Sequence, residues 1–204
     1  MDFVNSCGDA GPERSGKGSG EAMKTAIVFL ADGFEECEGL IVVDLLRRAG
    51  VDVITASIMG QKEIVSSHNV VIRADELAED VDFGAADLIV LPGGLPGTTH
   101  LGESDIVREQ CMKFAEDKYV AAICAAPSVL AGLGLLEGKE ATCHPSFEDK
   151  MDGAVVTGKS VAVAGNMITG RGLGAAIPFA LKLVEILVDK GTADKIAEGI
   201  CFNA

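Results

Sequence analysis

The sequence predicts an α/β fold, with a mainly parallel sheet covered by helices on both faces. Short, near-continuous apolar runs recur along the chain, such as Thr25-Ala26-Ile27-Val28-Phe29-Leu30 and Asp87-Leu88-Ile89-Val90-Leu91, the pattern of strands buried on both sides. Between them lie stretches of helical periodicity. Over 35–49, Val42, Leu45, Leu46 and Ala49 fall at i, i+3, i+4 and i+7 and mark one buried face, with Gly50 as the stop. Strand and helix therefore alternate, which is the signature of a parallel sheet with crossover helices.

The elements follow in order. A strand over 25–30 leads through the turn 31–34 into the helix 35–49, and a second strand covers 51–56. Residues 61–73 read as a hairpin, with Glu63-Ile64-Val65 and Val70-Val71-Ile72 flanking Ser66-Ser67-His68-Asn69. The strand 87–91 runs into Pro92-Gly93-Gly94, a charged helix spans about 103–117, and a strand covers 120–123. A helix is predicted from Pro127 to Leu136, short strands near Ala141, Val155, Val161 and Ile168, a long helix over 173–190 and a last one over 193–199. Residues 1–23, rich in Gly, Ser, Glu and Pro, carry too little apolar surface to pack. They are expected to be a flexible tail ahead of one domain over 24–204.

Composition narrows the function. Seventeen Lys and Arg against 31 Asp and Glu give a net charge of −14, which disfavours nucleic acid and anionic membranes as general partners. Tryptophan is absent and only one Tyr is present (Tyr119), so the core is aliphatic and stacking platforms are scarce. None of the six cysteines forms a C-x-x-C pair, and the first residues lack a basic, apolar signal segment. Free thiols in a reducing, cytoplasmic setting are the expectation. The apolar stretch 120–136 is broken by Pro127, Gly132 and Gly134 and is too short for a membrane span.

The strongest chemical signal is Ala-Ala-Ile-Cys-Ala-Ala-Pro at 121–127. A strand ends at Ile123 and a Pro-started helix begins at Pro127, which leaves Cys124 on a sharp strand-to-helix turn. The small Ala122 and Ala126, two residues to either side, match the steric logic of a nucleophile elbow. A thiol there lies near a helix N-terminus that favours the thiolate, and the Ala125 N–H would face an oxyanion. The alternative is a buried structural cysteine. Gly93 and Gly94, directly after a strand, let backbone approach a ligand and can supply a second oxyanion donor, or they are ordinary turn residues. His144, at another strand end, is a candidate partner for the thiol or a helix cap. Of Glu35, Glu36 and Glu38, all near a helix start, only one facing the core could reach the thiol. To lower the thiol pKa, that carboxyl must be neutral at pH 7 and donate to the thiolate, because an ionised one would raise it.

Together, residues 30–38 (Leu-Ala-Asp-Gly-Phe-Glu-Glu-Cys-Glu), 91–94 (Leu-Pro-Gly-Gly), 121–127, 143–145 (Cys-His-Pro) and 169–172 (Thr-Gly-Arg-Gly) resemble the ThiJ/PfpI superfamily in its parkinsonism-associated deglycase (DJ-one) branch. The resemblance spans roughly 24–200. It implies a flavodoxin-like three-layer sandwich, a homodimer, and an oxidation-prone nucleophile at Cys124. It also implies a hydrogen-bonding Glu38, a nearby His144, and backbone oxyanion donors at Gly94 and Ala125. The activities implied are glyoxalase-type conversion of methylglyoxal to lactate, protein deglycation, oxidative-stress protection and chaperone-like behaviour, with no cofactor and no metal. The partner would be a small aldehyde. A redox sensor acting through oxidation of Cys124 uses the same residues.

Departures from the family pattern matter too. The protease branch has His after its cysteine where this chain has Ala125, which argues against peptidase activity. No His-x-Glu pair of the amidotransferase kind follows. His68 stands where many members carry a basic residue, and Cys143 where Thr is common. Cys143 is then either a resolving partner for oxidised Cys124 or a plain strand-end cysteine.

Overall fold

The computed structural model describes residues 23–202; the expected tail over 1–23 lies, apart from Met23, outside the described residues. The chain opens with β1 (Thr25–Leu30), α1 (Glu36–Arg48) and β2 (Asp52–Ser57), then the hairpin β3 (Glu63–Val65) and β4 (Val71–Arg73). There follow β5 (Glu76–Leu77), β6 (Leu88–Leu91), α2 (Gly97–Glu103), α3 (Asp105–Asp117), β7 (Tyr119–Ile123) and α4 (Pro127–Gly132). The last part holds β8 (Glu140–Ala141), β9 (Val155–Val156), β10 (Val161–Ala164), β11 (Met167–Gly170), α5 (Ala176–Leu187) and α6 (Lys190–Gly199).

Seven strands form the main sheet in the order β10-β11-β7-β6-β1-β2-β5. Every neighbouring pair is parallel except β10 with β11. The inner order β2-β1-β6-β7-β11 is the doubly wound arrangement of flavodoxin-like folds, in which chain direction across the sheet reverses beside β1. The α/β, flavodoxin-like sandwich expected from the sequence is therefore the observed fold.

Alternation along each strand divides the core in two. Ala26, Val28, Leu30, Val90, Ala121 and Ile123 pack on one face with residues of α1 and α5. Ile27, Phe29, Ile89, Leu91, Val120 and Ala122 pack on the other with α3 and α4. Each β6 residue is completely buried, which is why these strands read as unbroken apolar runs rather than alternating ones.

Four expectations need correction. The helix predicted to Leu136 stops at Gly132, where Gly134 adopts φ 76° and the chain turns back. The long helix predicted over 173–190 is a 3₁₀ turn (Leu173–Ala175), then α5, which ends at Leu187. Asp189 caps a new helix by accepting from the Thr192 N–H at 2.8 Å, so α6 starts at Lys190 rather than at 193. Finally, the segment between β6 and the charged helix holds the additional helix α2.

Candidate active site

Four neighbouring strands end at one place. Loops after β1, β6, β7 and β11 meet at the carboxyl edge of the sheet beside the topological switch point, where such folds bind ligands. They enclose a cavity of about 470 Å³ whose lining includes Glu35, Glu38, Cys124, His144, Ser160 and Arg171. The structure thus brings together all three side chains expected to act.

Cys124 sits at φ 65°, the left-handed region that L-residues rarely occupy. Its backbone is held on both sides. The Cys124 N–H donates to the Gly170 carbonyl at 2.9 Å, and its carbonyl accepts from the His144 N–H at 2.8 Å. These bonds tie the elbow to β11 and to the loop after β8. The backbone N–H groups of Ala125 and Gly94 both point at the sulfur. Gly94 reaches that pose with φ 92°, and a Cβ there would lie 2.3 Å from the Glu35 nitrogen.

Glu38 is 1% exposed. It lies in the first turn of α1, whose N-cap Glu35 accepts the Glu38 N–H at 2.6 Å. Its Oε2 accepts the Gly93 N–H at 3.1 Å, and its carboxyl hydrogen-bonds the Cys124 thiol. Gly93 was expected beside Gly94 as an oxyanion or substrate donor. Its N–H is instead committed to Glu38, so Gly93 orients the carboxyl and Gly94 faces the sulfur. No side chain fits at Gly93, because a Cβ would fall 2.5 Å from Glu38 Oε2 and 2.6 Å from Cys124 Cβ.

Electrostatics makes these two groups one titrating unit. Burial raises the Glu38 carboxyl from its ordinary 4.5 to about 7, with the Glu35 charge adding and the bonds from Cys124 and Gly93 opposing. Burial also pushes the Cys124 thiol up to about 12, reinforced by the charge and acceptor oxygen of Glu38 and opposed by the Ala125 and Gly94 amides. A thiol simply acidified by its helix is therefore not what the fold provides. Its proton is held by an ionised Glu38. Moving that proton onto the carboxyl removes the repulsion and turns Glu38 into a donor to the sulfur.

His144 is exposed, caps the 3₁₀ segment Pro145–Lys150, and accepts the Ser146 N–H through Nδ1 at 3.2 Å. That contact leaves Nε2 as the protonated nitrogen of the neutral ring. Both alternatives in the sequence are thus realised: the residue is a cap and it lines the cavity. Cys143 is different. It is fully buried in the core layer on the α3 and α4 face, whereas Cys124 packs against the opposite layer. The resolving-disulfide expectation is set aside on that geometry.

The lining from Ser160 and from residues 171–175 carried no assigned role in the sequence. Arg171 donates through Nη1 to the Gly158 carbonyl and through its backbone N–H to the Ser160 carbonyl at 3.0 Å, which fixes this part of the cavity wall. The signal available was the apolar β11 running straight into Arg171-Gly172 at the same sheet edge.

Comparison with known proteins agrees with this architecture. The model of the DJ-1/PfpI family matches residues 24–186. The chain is 40% identical over 181 residues to "Protein dj-1beta" of Drosophila melanogaster, covering 87% of this chain and 96% of that one. It is 30% identical to the "Glutathione-independent glyoxalase DJR-1.2" of Caenorhabditis elegans, covering 89% and 98%. Among solved structures, Drosophila melanogaster DJ-1beta superposes with a TM-score of 0.85 at 38% identity over 90% of this chain and all of that one. Oxidized Toxoplasma gondii DJ-1 does so with 0.84 at 34% over 89% and 100%. With the matched family model spanning most of the sequence and the same fold in its solved relatives, this chain belongs to the DJ-1/PfpI family.

Proposed function

We propose that the protein is a cysteine-dependent, cofactor-independent glyoxalase or deglycase acting on 2-oxoaldehydes such as methylglyoxal. The observation that carries this reading is the buried Glu38–Cys124 pair beneath two converging amides, in a small cavity open to solvent. Sulfur adds to the aldehyde carbon and forms a C–S bond, and the carbonyl oxygen becomes an oxyanion held by the Gly94 and Ala125 N–H groups. That oxygen takes the proton from Glu38, giving a hemithioacetal. The resulting carboxylate removes the C–H proton of the former aldehyde carbon and returns it to the neighbouring carbon, while the hydroxyl proton passes from the first oxygen to the second, so that the first becomes a carbonyl and the second a hydroxyl. A hydroxyacyl thioester results. Water then cleaves the C–S bond, releasing the 2-hydroxy acid and restoring the shared proton, so the net change is addition of one water. In this reading His144, which lines the same cavity, holds a substrate oxygen through Nε2–H.

A relative named as a glyoxalase supports the reaction class. A homodimer is the proposed working unit, supported by the exposed apolar side chains Leu40, Val65, Val70 and Val71 on α1 and the hairpin. Among the described residues no helix is long and apolar enough to cross a membrane. A second reading, stress protection through oxidation of Cys124, is favoured by the oxidized state named for the Toxoplasma structure.

The deciding experiment is metal-free turnover of methylglyoxal. Cys124→Ser and Glu38→Ala are each expected to lower kcat/KM by about 10²–10⁴-fold. Turnover at the wild-type rate in either variant overturns the enzyme reading. Peroxide-sensitive thiol chemistry without any turnover in the wild type leaves only the redox role.

A further inference from the structure

A second cavity, of about 560 Å³, lies between α2, α3, α4 and the 3₁₀ segment Pro145–Lys150, and shares no lining residue with the Cys124 cavity. Three independent features converge on it. The first is Thr98, 5% exposed, whose Oγ1 is buried without a hydrogen-bond partner, the one such side-chain atom among the described residues. Leaving a buried hydroxyl unpaired is costly, and such atoms are rare in folded proteins.

The second feature is charge. Arg108 and Lys150 both line the cavity, and among the described residues neither forms an ion pair or hydrogen bond through its side chain. In a chain of net charge −14, two unpaired cations on one cavity are a local reversal of the overall field. Lys150 Nζ is held 4.8 Å from the Phe147 ring centroid. Glu103 is the single carboxylate among the lining residues. The third feature is the remaining wall, where Leu95, Val129, Leu133 and the Phe147 ring offer apolar surface. Apolar walls with a few convergent polar groups are the usual make-up of a small-molecule site.

We propose that this cavity is a second ligand site, built for a small organic anion with an apolar body. Its carboxylate meets Arg108 and Lys150, and its body lies on Leu95, Val129, Leu133 and Phe147 beside the Thr98 wall. The site stands directly behind the amide pair. The Thr98 N–H donates to the Gly94 carbonyl at 2.9 Å, and Ser128 Oγ donates to the Ala125 carbonyl at 2.7 Å. The inference is independent of the glyoxalase reading.

Calorimetric titration of the full chain with 4-hydroxyphenylacetate, against its neutral amide 4-hydroxyphenylacetamide, tests it. The acid should bind saturably and the amide about tenfold or more weakly. Arg108→Gln combined with Lys150→Gln should weaken the acid by a similar factor; both side chains are exposed, so the fold is retained. Cys124→Ser should bind as the wild type does. Absence of saturable binding, equal affinity for acid and amide, indifference to the charge substitutions, or loss of binding in Cys124→Ser would each overturn the proposal.

Discussion

Glu36 and Glu38 are two residues apart in the first turn of α1, yet they are chemical opposites. Glu36 points outward to the hairpin, where Ser67 Oγ lies at 3.3 Å and His68 Nδ1 at 3.0 Å from its oxygens. Burial acts to raise it, but its backbone and side-chain hydrogen bonds and the His68 charge win, so its carboxyl is held below the ordinary value. Glu38, about 200° further round the helix, is buried against Cys124 and raised to about 7. The same side chain on the same turn becomes a permanent anion or a proton carrier according to which layer it faces.

The sharpest way to break that contrast is to remove each carboxyl's charge in turn. Glu38→Gln should lower methylglyoxal turnover by about 10²–10⁴-fold. In the wild type, kcat/KM should rise with pH through about 7, as the doubly protonated pair gives way to the singly protonated pair that contains the reactive sulfur. A flat wild-type profile between pH 6 and 8 would contradict this, and the residual activity of Glu38→Gln should lack the step.

Stability should move the other way. Because the folded pKa of Glu38 is raised, its contribution is fully present below about 4.5 and is lost as pH rises through about 7. Glu38→Gln, which cannot ionise, should therefore be more stable than the wild type above pH 7. The gain is on the order of 3 kcal/mol, readable by denaturant titration at pH 5 and pH 8. Gly93→Ala tests the close approach that holds Glu38 in place. It should cost about 1–3 kcal/mol by overpacking and depress activity as well; a fully active, fully stable variant would show that the N–H contact is dispensable. The smallest effect belongs to the outward partner. Glu36→Gln or His68→Ala should change stability by less than about 1 kcal/mol, because the pair is open to solvent on its His68 side although Glu36 is largely covered, and leave turnover unaltered.

How much of this was legible in the sequence depended on whether the signal was local. The buried strands announced themselves because full burial on both faces leaves no polar position, as in Leu88-Ile89-Val90-Leu91. The Cys124 elbow was readable because its steric demands fall on immediate neighbours. By contrast α2, Gly-Thr-Thr-His-Leu-Gly-Glu, contains two glycines and two threonines in seven residues, poor helix formers on any scale. Tertiary contacts settle it: His100 Nδ1 lies 3.0 Å from the Asp32 carbonyl, and Leu101 is fully buried. A break between α5 and α6 was legible, but its position is set by the Asp189 cap, which the expected helix over 173–190 runs past. The split of labour between Gly93 and Gly94 was equally hidden, since both follow the same strand and only the rotation of each peptide decides which N–H meets the carboxyl.

The pairing of β7 with β11 has a consequence for how the site comes into being. Cys124 finds its backbone acceptor in Gly170, 46 positions downstream, and the facing wall comes from still later residues. During synthesis the cysteine emerges from the ribosome well before the strand that fastens its turn. Until that strand docks, nothing holds φ of Cys124 at its unfavourable angle, and the sulfur is an ordinary thiol on an open chain. Reactivity is thus conferred by completion of the fold, so an unfinished or clipped chain carries the cysteine without its chemistry.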